Sequence, residues 1–143
     1  MKRLVIFALL FLSLLTTVVF ASANESLDKD KTSLNQETTD QGITLNVNSY
    51  SIKNNKLKVN YTIQSKEKYK LEPGGLVERP DVVIADKLTH ATALKHEKIS
   101  DLKYTGSSEI DLPKDLPKQF NVKFNTDAIL NQAGQWTIEF KVK

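Results

Sequence analysis

The strongest constraint in the sequence is an alternation of apolar and polar side chains with a period of two. Leu57, Val59, Tyr61 and Ile63 alternate with Lys56, Lys58, Asn60 and Thr62. Ile43, Leu45 and Val47 follow the same rule, as do Phe120, Val122 and Phe124, and then Trp136, Ile138, Phe140 and Val142. Successive side chains of an extended chain point to opposite faces, so each stretch has one face to bury and one to wet.

The alternation slips once, because Tyr50 and Ile52 continue on even numbers after Val47. One extra residue at Asn48 and Ser49 would cause this, and a β-bulge supplies it. Asn54 and Asn55 then predict a tight hairpin turn, since Asn tolerates positive φ angles. Residues 66–70 read as a charged loop, and Pro73, Gly74 and Gly75 as a turn. Val82, Val83 and Ile84 make a short β-branched strand. Residues 86–101 have no decisive period and read as turn and strand, with a helix as the alternative. Tyr104, Ile110 and Leu112 alternate weakly, and residues 127–131 are expected to form one helical turn. About seven short strands spaced by turn signals predict an antiparallel β-sandwich.

The first 23 residues differ from the rest. Seventeen of them are apolar, and Lys2 and Arg3 are their only charges. A short basic start, an apolar run over residues 4–20 and the small residues Ala21, Ser22 and Ala23 read as a secretory signal cleaved after Ala23. An uncleaved anchor is the alternative, since the run sits at the lower length limit for a bilayer of about 30 Å. Either way the remainder is expected outside the cytoplasm. Residues 24–41 hold five acids against Lys29 and Lys31, with only Leu27 and Leu34 large and apolar. Such a stretch buries too little to offset its ordering entropy and is expected to be a disordered polar leader, a short helix being the weaker option. The folded domain is then residues 42–143.

Of 20 basic residues against 17 acidic ones, Lys2 and Arg3 belong to the signal, which leaves 18 against 17. The balance gives no reason to expect nucleic acid as a partner. The chain has no Cys. That excludes a disulfide scaffold, a thiol nucleophile, a Cys–zinc site and a lipidated Cys. A Cys-free, Lys- and Asn-rich exported domain fits a Gram-positive bacterial product better than a eukaryotic one.

Catalytic and metal signals are weak. His90 and His96, six residues apart, match no usual zinc spacing, though Glu97 and Asp101 lie near them in sequence. Ser100 with Asp101, and Ser107 and Ser108 with Glu109, bring serines beside acids but without a nucleophile elbow. Glu109 and Asp111 share a strand face, which an exposed acidic surface explains better than a glycosidase pair. Glu72, Glu78 and Asp81 are further acids that sequence cannot bring together. Gly74 and Gly75 lack the Lys–Ser/Thr of a phosphate loop. Trp136, in phase with Ile138 and Phe140, is expected in the core, while Tyr69 and Tyr104 lie near loops. No enzyme, cofactor, metal or small-molecule substrate is expected.

The densest basic region is Lys56, Lys58, Lys66, Lys68 and Lys70, and with Tyr69 it is the candidate interaction face. It would suit an unidentified protein or an anionic cell-surface partner. The competing explanation is that Lys on a wet edge blocks aggregation.

Residues 42–47 (Gly-Ile-Thr-Leu-Asn-Val), the Asn54–Asn55 turn and Leu57 through Ile63 resemble the opening hairpin of a family of bacterial extracytoplasmic domains. Tyr104, Thr105 and Gly106, Glu109 through Pro113, Leu116 with Pro117, Phe120 through Val122, and the terminal Gly134-Gln135-Trp136-Thr137-Ile138-Glu139-Phe140 continue the likeness. These stretches resemble the immunoglobulin-like domains of unknown function on the outer side of Gram-positive anti-sigma-factor-like membrane proteins. The resemblance implies an immunoglobulin-like sandwich of about seven strands and no catalytic content, and it favours a hairpin over a helix in residues 86–101. Sigma-factor inhibition is not implied, because only three residues precede the apolar run. The function expected is therefore a secreted or cell-surface, non-catalytic interaction or sensing domain. The alternatives are a wall- or membrane-adhesion module using the Lys-rich face, and an unrecognised hydrolase or metal-binding protein.

Overall fold

The computed structural model describes residues 31–70 and 76–143. The expected signal segment, residues 24–30 of the leader, and the turn at Pro73, Gly74 and Gly75 lie outside the described residues. Eight strands follow in order: β1 (Thr32–Asp40), β2 (Ile43–Lys53), β3 (Lys56–Ser65), β4 (Asp81–Ile84), β5 (Lys87–Ser100), β6 (Lys103–Asp111), β7 (Phe120–Ile129) and β8 (Gln132–Val142). No helix occurs among the described residues. All pairings are antiparallel, in the sheet order β1-β2-β3-β6-β5-β4-β7-β8. The sheet curls until its two ends approach, so the molecule is nearly a barrel. β1 touches β8, and the Gln135 amide donates to Asp40 Oδ2 at 2.8 Å.

Two-residue turns make most of the hairpins. Gln41 and Gly42 (φ 48° and 71°), Asn54 and Asn55 (52° and 59°), Ala85 and Asp86 (47° and 65°), and Leu130 and Asn131 (55° and 59°) all have paired positive φ angles. This twist matches that of the flanking strands, which is why such turns close tight hairpins. Asn and Gly are suited to it, whereas Ala85 and Leu130 hold it against steric resistance. Leu130 is fully buried, so its side chain is fixed by packing.

The alternating stretches supply the core. Ile43, Leu45, Leu57, Val59, Tyr61, Ile63, Val82, Ile84, Ile110, Phe124, Ile129 and Trp136 are all completely buried or nearly so. Burying such side chains is the main force that closes the sheet on itself. Tyr50 stacks on Phe140 with ring centroids 5.3 Å apart, which joins β2 to β8. The indole Nε1 of Trp136 donates to the Ile43 carbonyl at 2.8 Å and satisfies the only polar atom of that side chain. The expected bulge is present as a register shift between Val47 and Ser49.

Several expectations are corrected. Residues 32–40 of the supposed leader form β1. The strand is mostly exposed and is held by its ladder with β2 rather than by burial, which a burial argument overlooks. Residues 127–131 do not form a helical turn: β7 runs on to Ile129, and Leu130 and Asn131 make the hairpin to β8. Residues 87–100 are one long strand with a turn at each end, as the turn-and-strand reading of 86–101 expects, and neither the helix nor a hairpin within that stretch is formed. The described residues hold eight strands where about seven were expected. Tyr104, which lies near a loop in the sequence, is buried.

Candidate functional site: the open edge of β5

β5 changes partners along its length. Residues 87–90 pair with β4, from Ile84↔Lys87 to Asp81↔His90. Residues 91–100 pair with β6 on the other side, from Ala91↔Ile110 to Ser100↔Lys103. The last contact on the β4 side is at Ala91, whose amide donates to the Pro80 carbonyl and whose carbonyl accepts from Arg79 Nε at 2.7 Å. Beyond it, among the described residues, no strand pairs with the outer side of residues 92–100. The barrel wall is open along this edge because β4 has only four residues and Pro80 precedes it. Proline lacks the amide a continuing ladder needs.

The open edge is anchored from within. Tyr61 on β3, Gly106 on β6 and His96 on β5 stand opposite one another across three strands. The Tyr61 ring lies across Gly106, and its hydroxyl is 2.7 Å from His96 Nε2. A Cβ on Gly106 would fall 2.6 Å from both His96 Cδ2 and Tyr61 Cε2. Only glycine lets the phenol cross here. On its far side the Tyr61 ring packs against Phe124 of β7, at 5.9 Å between centroids. Ser108 Oγ is buried close to the Tyr61 hydroxyl and has no hydrogen bond of normal geometry.

This environment sets the protonation states. Burial pushes the Tyr61 hydroxyl up to about 12, a rise that the Ser108 hydroxyl partly opposes. Partial desolvation where the ring leans on the wall also lowers the His96 pKa, although the residue stays exposed on its outer side. The Tyr61 hydroxyl and His96 Nε2 share a hydrogen bond whose direction follows the His96 tautomer. The 2.7 Å contact between the two side chains ties β5 to the wall.

The lysines singled out in the sequence do not converge. Lys56 and Lys58 sit at one end of β3, and Lys66, Lys68, Tyr69 and Lys70 lie beyond its other end. At roughly 3.3 Å per residue the two groups are about 30 Å apart. Lys56 bonds to Asp111 Oδ1 at 2.5 Å, and that hydrogen bond raises its pKa. Lys58 faces Glu109 in register. Lys68 and Lys98 share the Asp101 carboxylate at 2.8 and 2.6 Å. Their hydrogen bonds hold Asp101 down at about 2. Tyr69 packs against the core, with its hydroxyl 3.5 Å from the Gln41 carbonyl. The Lys70 carbonyl accepts from Asn131 Nδ2, and Lys66 lies beside Gly42.

The two histidines are also apart. His90 pairs with Asp81 at 2.8 Å, and the bulge between Ala91 and Ala93 reverses the alternation before His96. Sequence reasoning missed the Tyr61–His96 tether, whose one sequence signal is a glycine inside a strand. Two of the several shallow depressions among the described residues differ in where they lie. One of about 320 Å³ is lined by Asn60, Lys95, His96, Glu97 and Thr105, beside the open edge. The other, of about 420 Å³, lies over β7 and β8 and is lined by Val83, Asn121, Lys123, Glu139 and Lys141.

No family model matches the sequence, and no curated protein matches it. The fold is similar to the crystal structure of the conserved domain protein from Bacillus anthracis. The two superpose with a TM-score of 0.66 at 19% identity, over 83% of this chain and 44% of that one. The chain thus spans less than half the length of that structure, and the likeness is one of fold alone.

Proposed function

We propose that this chain is a secreted or cell-surface, non-catalytic interaction domain of a Gram-positive bacterium, and that it binds through the open edge of β5. The observation that carries the reading is the nine-residue strand edge over 92–100, anchored from inside and without a partner strand among the described residues. Unpaired amides and carbonyls on a rigid strand are a template for another strand, and β-augmentation uses such edges. The basic start, apolar run and small residues at Ala21, Ser22 and Ala23 support export, with the signal helix cleaved after Ala23. The finer reading of the fold is an immunoglobulin-like sandwich whose two layers share β5. The dispersal and pairing of the lysines favour edge binding over adhesion through a basic face.

The test is photo-crosslinking in living cells of the native host, with the crosslinker at Lys95 or at Lys123 on the far wall. Protein adducts concentrated at Lys95 are expected. Adducts at neither site, with salt-sensitive pelleting on purified walls or anionic vesicles, would overturn the reading in favour of adhesion.

A further inference from the structure

We infer that the partner at the β5 edge is a second copy of this chain, paired antiparallel so that the two His96 residues face each other. The inference rests on the edge-binding reading and adds the occupant and its register.

Opposite residues of an antiparallel pair must lie on the same face of the sheet, so registers change only in steps of two. Around the middle of the edge three symmetric registers are then available. Centring on Lys95 sets Lys95 against Lys95. Centring on Glu97 sets Glu97 against Glu97. Centring on His96 sets Lys95 of each copy against Glu97 of the other, twice over. Like charges directly opposite destabilise a strand pair and unlike charges stabilise it, so only the His96 register is favoured. The same register places Leu94 against the stem of Lys98, whose ammonium stays on Asp101.

Further observations agree with this occupant. Both Lys95 and Glu97 are exposed, and neither is in an ion pair among the described residues, so both are available to a partner. Ile99, at 55% exposure, stands just past the regular part of the edge. The stretch between the register shifts at Ala91/Ala93 and Lys98/Ser100 is the straight part of the edge, and it is centred on Lys95 and His96. A two-fold pair of this kind is closed, so it yields a dimer and not a fibre.

The test is sedimentation velocity over a wide concentration range on the protein purified from its host, with Lys95→Glu, Glu97→Lys and the double exchange Lys95→Glu/Glu97→Lys. The parent is expected to be a reversible dimer. Each single exchange creates two like-charge pairs and is expected to weaken the dimer about tenfold or more. Mixing the two single variants restores every unlike pair between them, as does the double exchange within itself, so both are expected to dimerise like the parent. Both positions changed are exposed, and circular dichroism checks that folding is unaltered. A parent monomeric at every concentration, or single variants that dimerise as well as the parent, would overturn the inference. A monomer that still gives a protein adduct at Lys95 in cells would leave the edge-binding reading standing and sink self-pairing alone.

Discussion

Gly106→Ala should be disproportionately costly for a change of one methyl group on a strand. The added Cβ would lie 2.6 Å from His96 Cδ2 and Tyr61 Cε2, and 2.9 Å from Tyr61 Cζ. Real Cβ contacts need nearly an ångström more. The phenol cannot yield easily, because Phe124 backs it and His96 Nε2 holds its hydroxyl at 2.7 Å. Overpacking of this kind costs about 1–3 kcal/mol. Losing the Tyr61–His96 hydrogen bond adds about 0.5–1.5 kcal/mol. Against these, alanine restricts the unfolded chain and returns about 0.5–1 kcal/mol. The net expectation is a loss of about 2 kcal/mol, or a fall in Tm of roughly 8 °C. Urea unfolding followed by tryptophan fluorescence measures it, with Trp136 as the only tryptophan. In a His96→Ala background one of the two clashes is gone, so Gly106→Ala should cost at least a third less there. A Gly106→Ala variant as stable as the parent would refute the crossing of Tyr61 over Gly106, and with it the tether of β5.

Other consequences can be measured. Partial desolvation holds His96 below its unfolded value, so the stability that its neutral form contributes is present above about pH 6.5 and is lost as pH falls below it. Unfolding curves between pH 8 and pH 5 should therefore decline more steeply for the parent than for His96→Gln, with roughly 1 pH unit enough to show it. Tyr61 lies at about 12, so stability is expected to fall as pH rises above the ordinary tyrosine value of about 10, where the unfolded chain ionises first. Tyr61→Phe should flatten that alkaline limb. The carboxyl carbon of Asp101 should titrate at about 2 by NMR and move upward in Lys68→Ala and in Lys98→Ala. An unmoved midpoint would break the three-residue cluster. Ala85→Asn places a residue tolerant of φ 47° at the β4–β5 turn and should raise stability by up to about 1 kcal/mol, read from the urea midpoint.

The strands legible in the sequence are those whose burial alternates. β2, β3, β7 and β8 each place one face in the core, and their apolar residues mark them out. The bulge after Val47 was legible because it changes the phase of that alternation. β1 and β5 are exposed along most of their length, so their ladders hold them, and a ladder leaves no trace in side-chain pattern. Leu130 misleads for a different reason: an apolar residue in a left-handed turn reads as part of a helix or strand. The site was less legible than the fold. Tyr61 reads as a core residue and His96 lies in a stretch without a decisive period, and only the register of three strands brings them together. The lysines formed a cluster in sequence, but a strand carries neighbours apart by about 3.3 Å per residue, and the ends of β3 face different surroundings.

Amide hydrogen exchange along β5, at low and high protein concentration, tests the open edge most directly. In the dilute protein, the outward amides within residues 92–100 should exchange quickly while those directed at β6 are protected. Raising the concentration should protect the outward set and leave β1 and β8 unchanged. Outward amides already protected in the dilute monomer would mean that the chain covers its own edge. Protection that grew instead on β1 or β8 would place the interface elsewhere, and either result would contradict β5 as the binding edge.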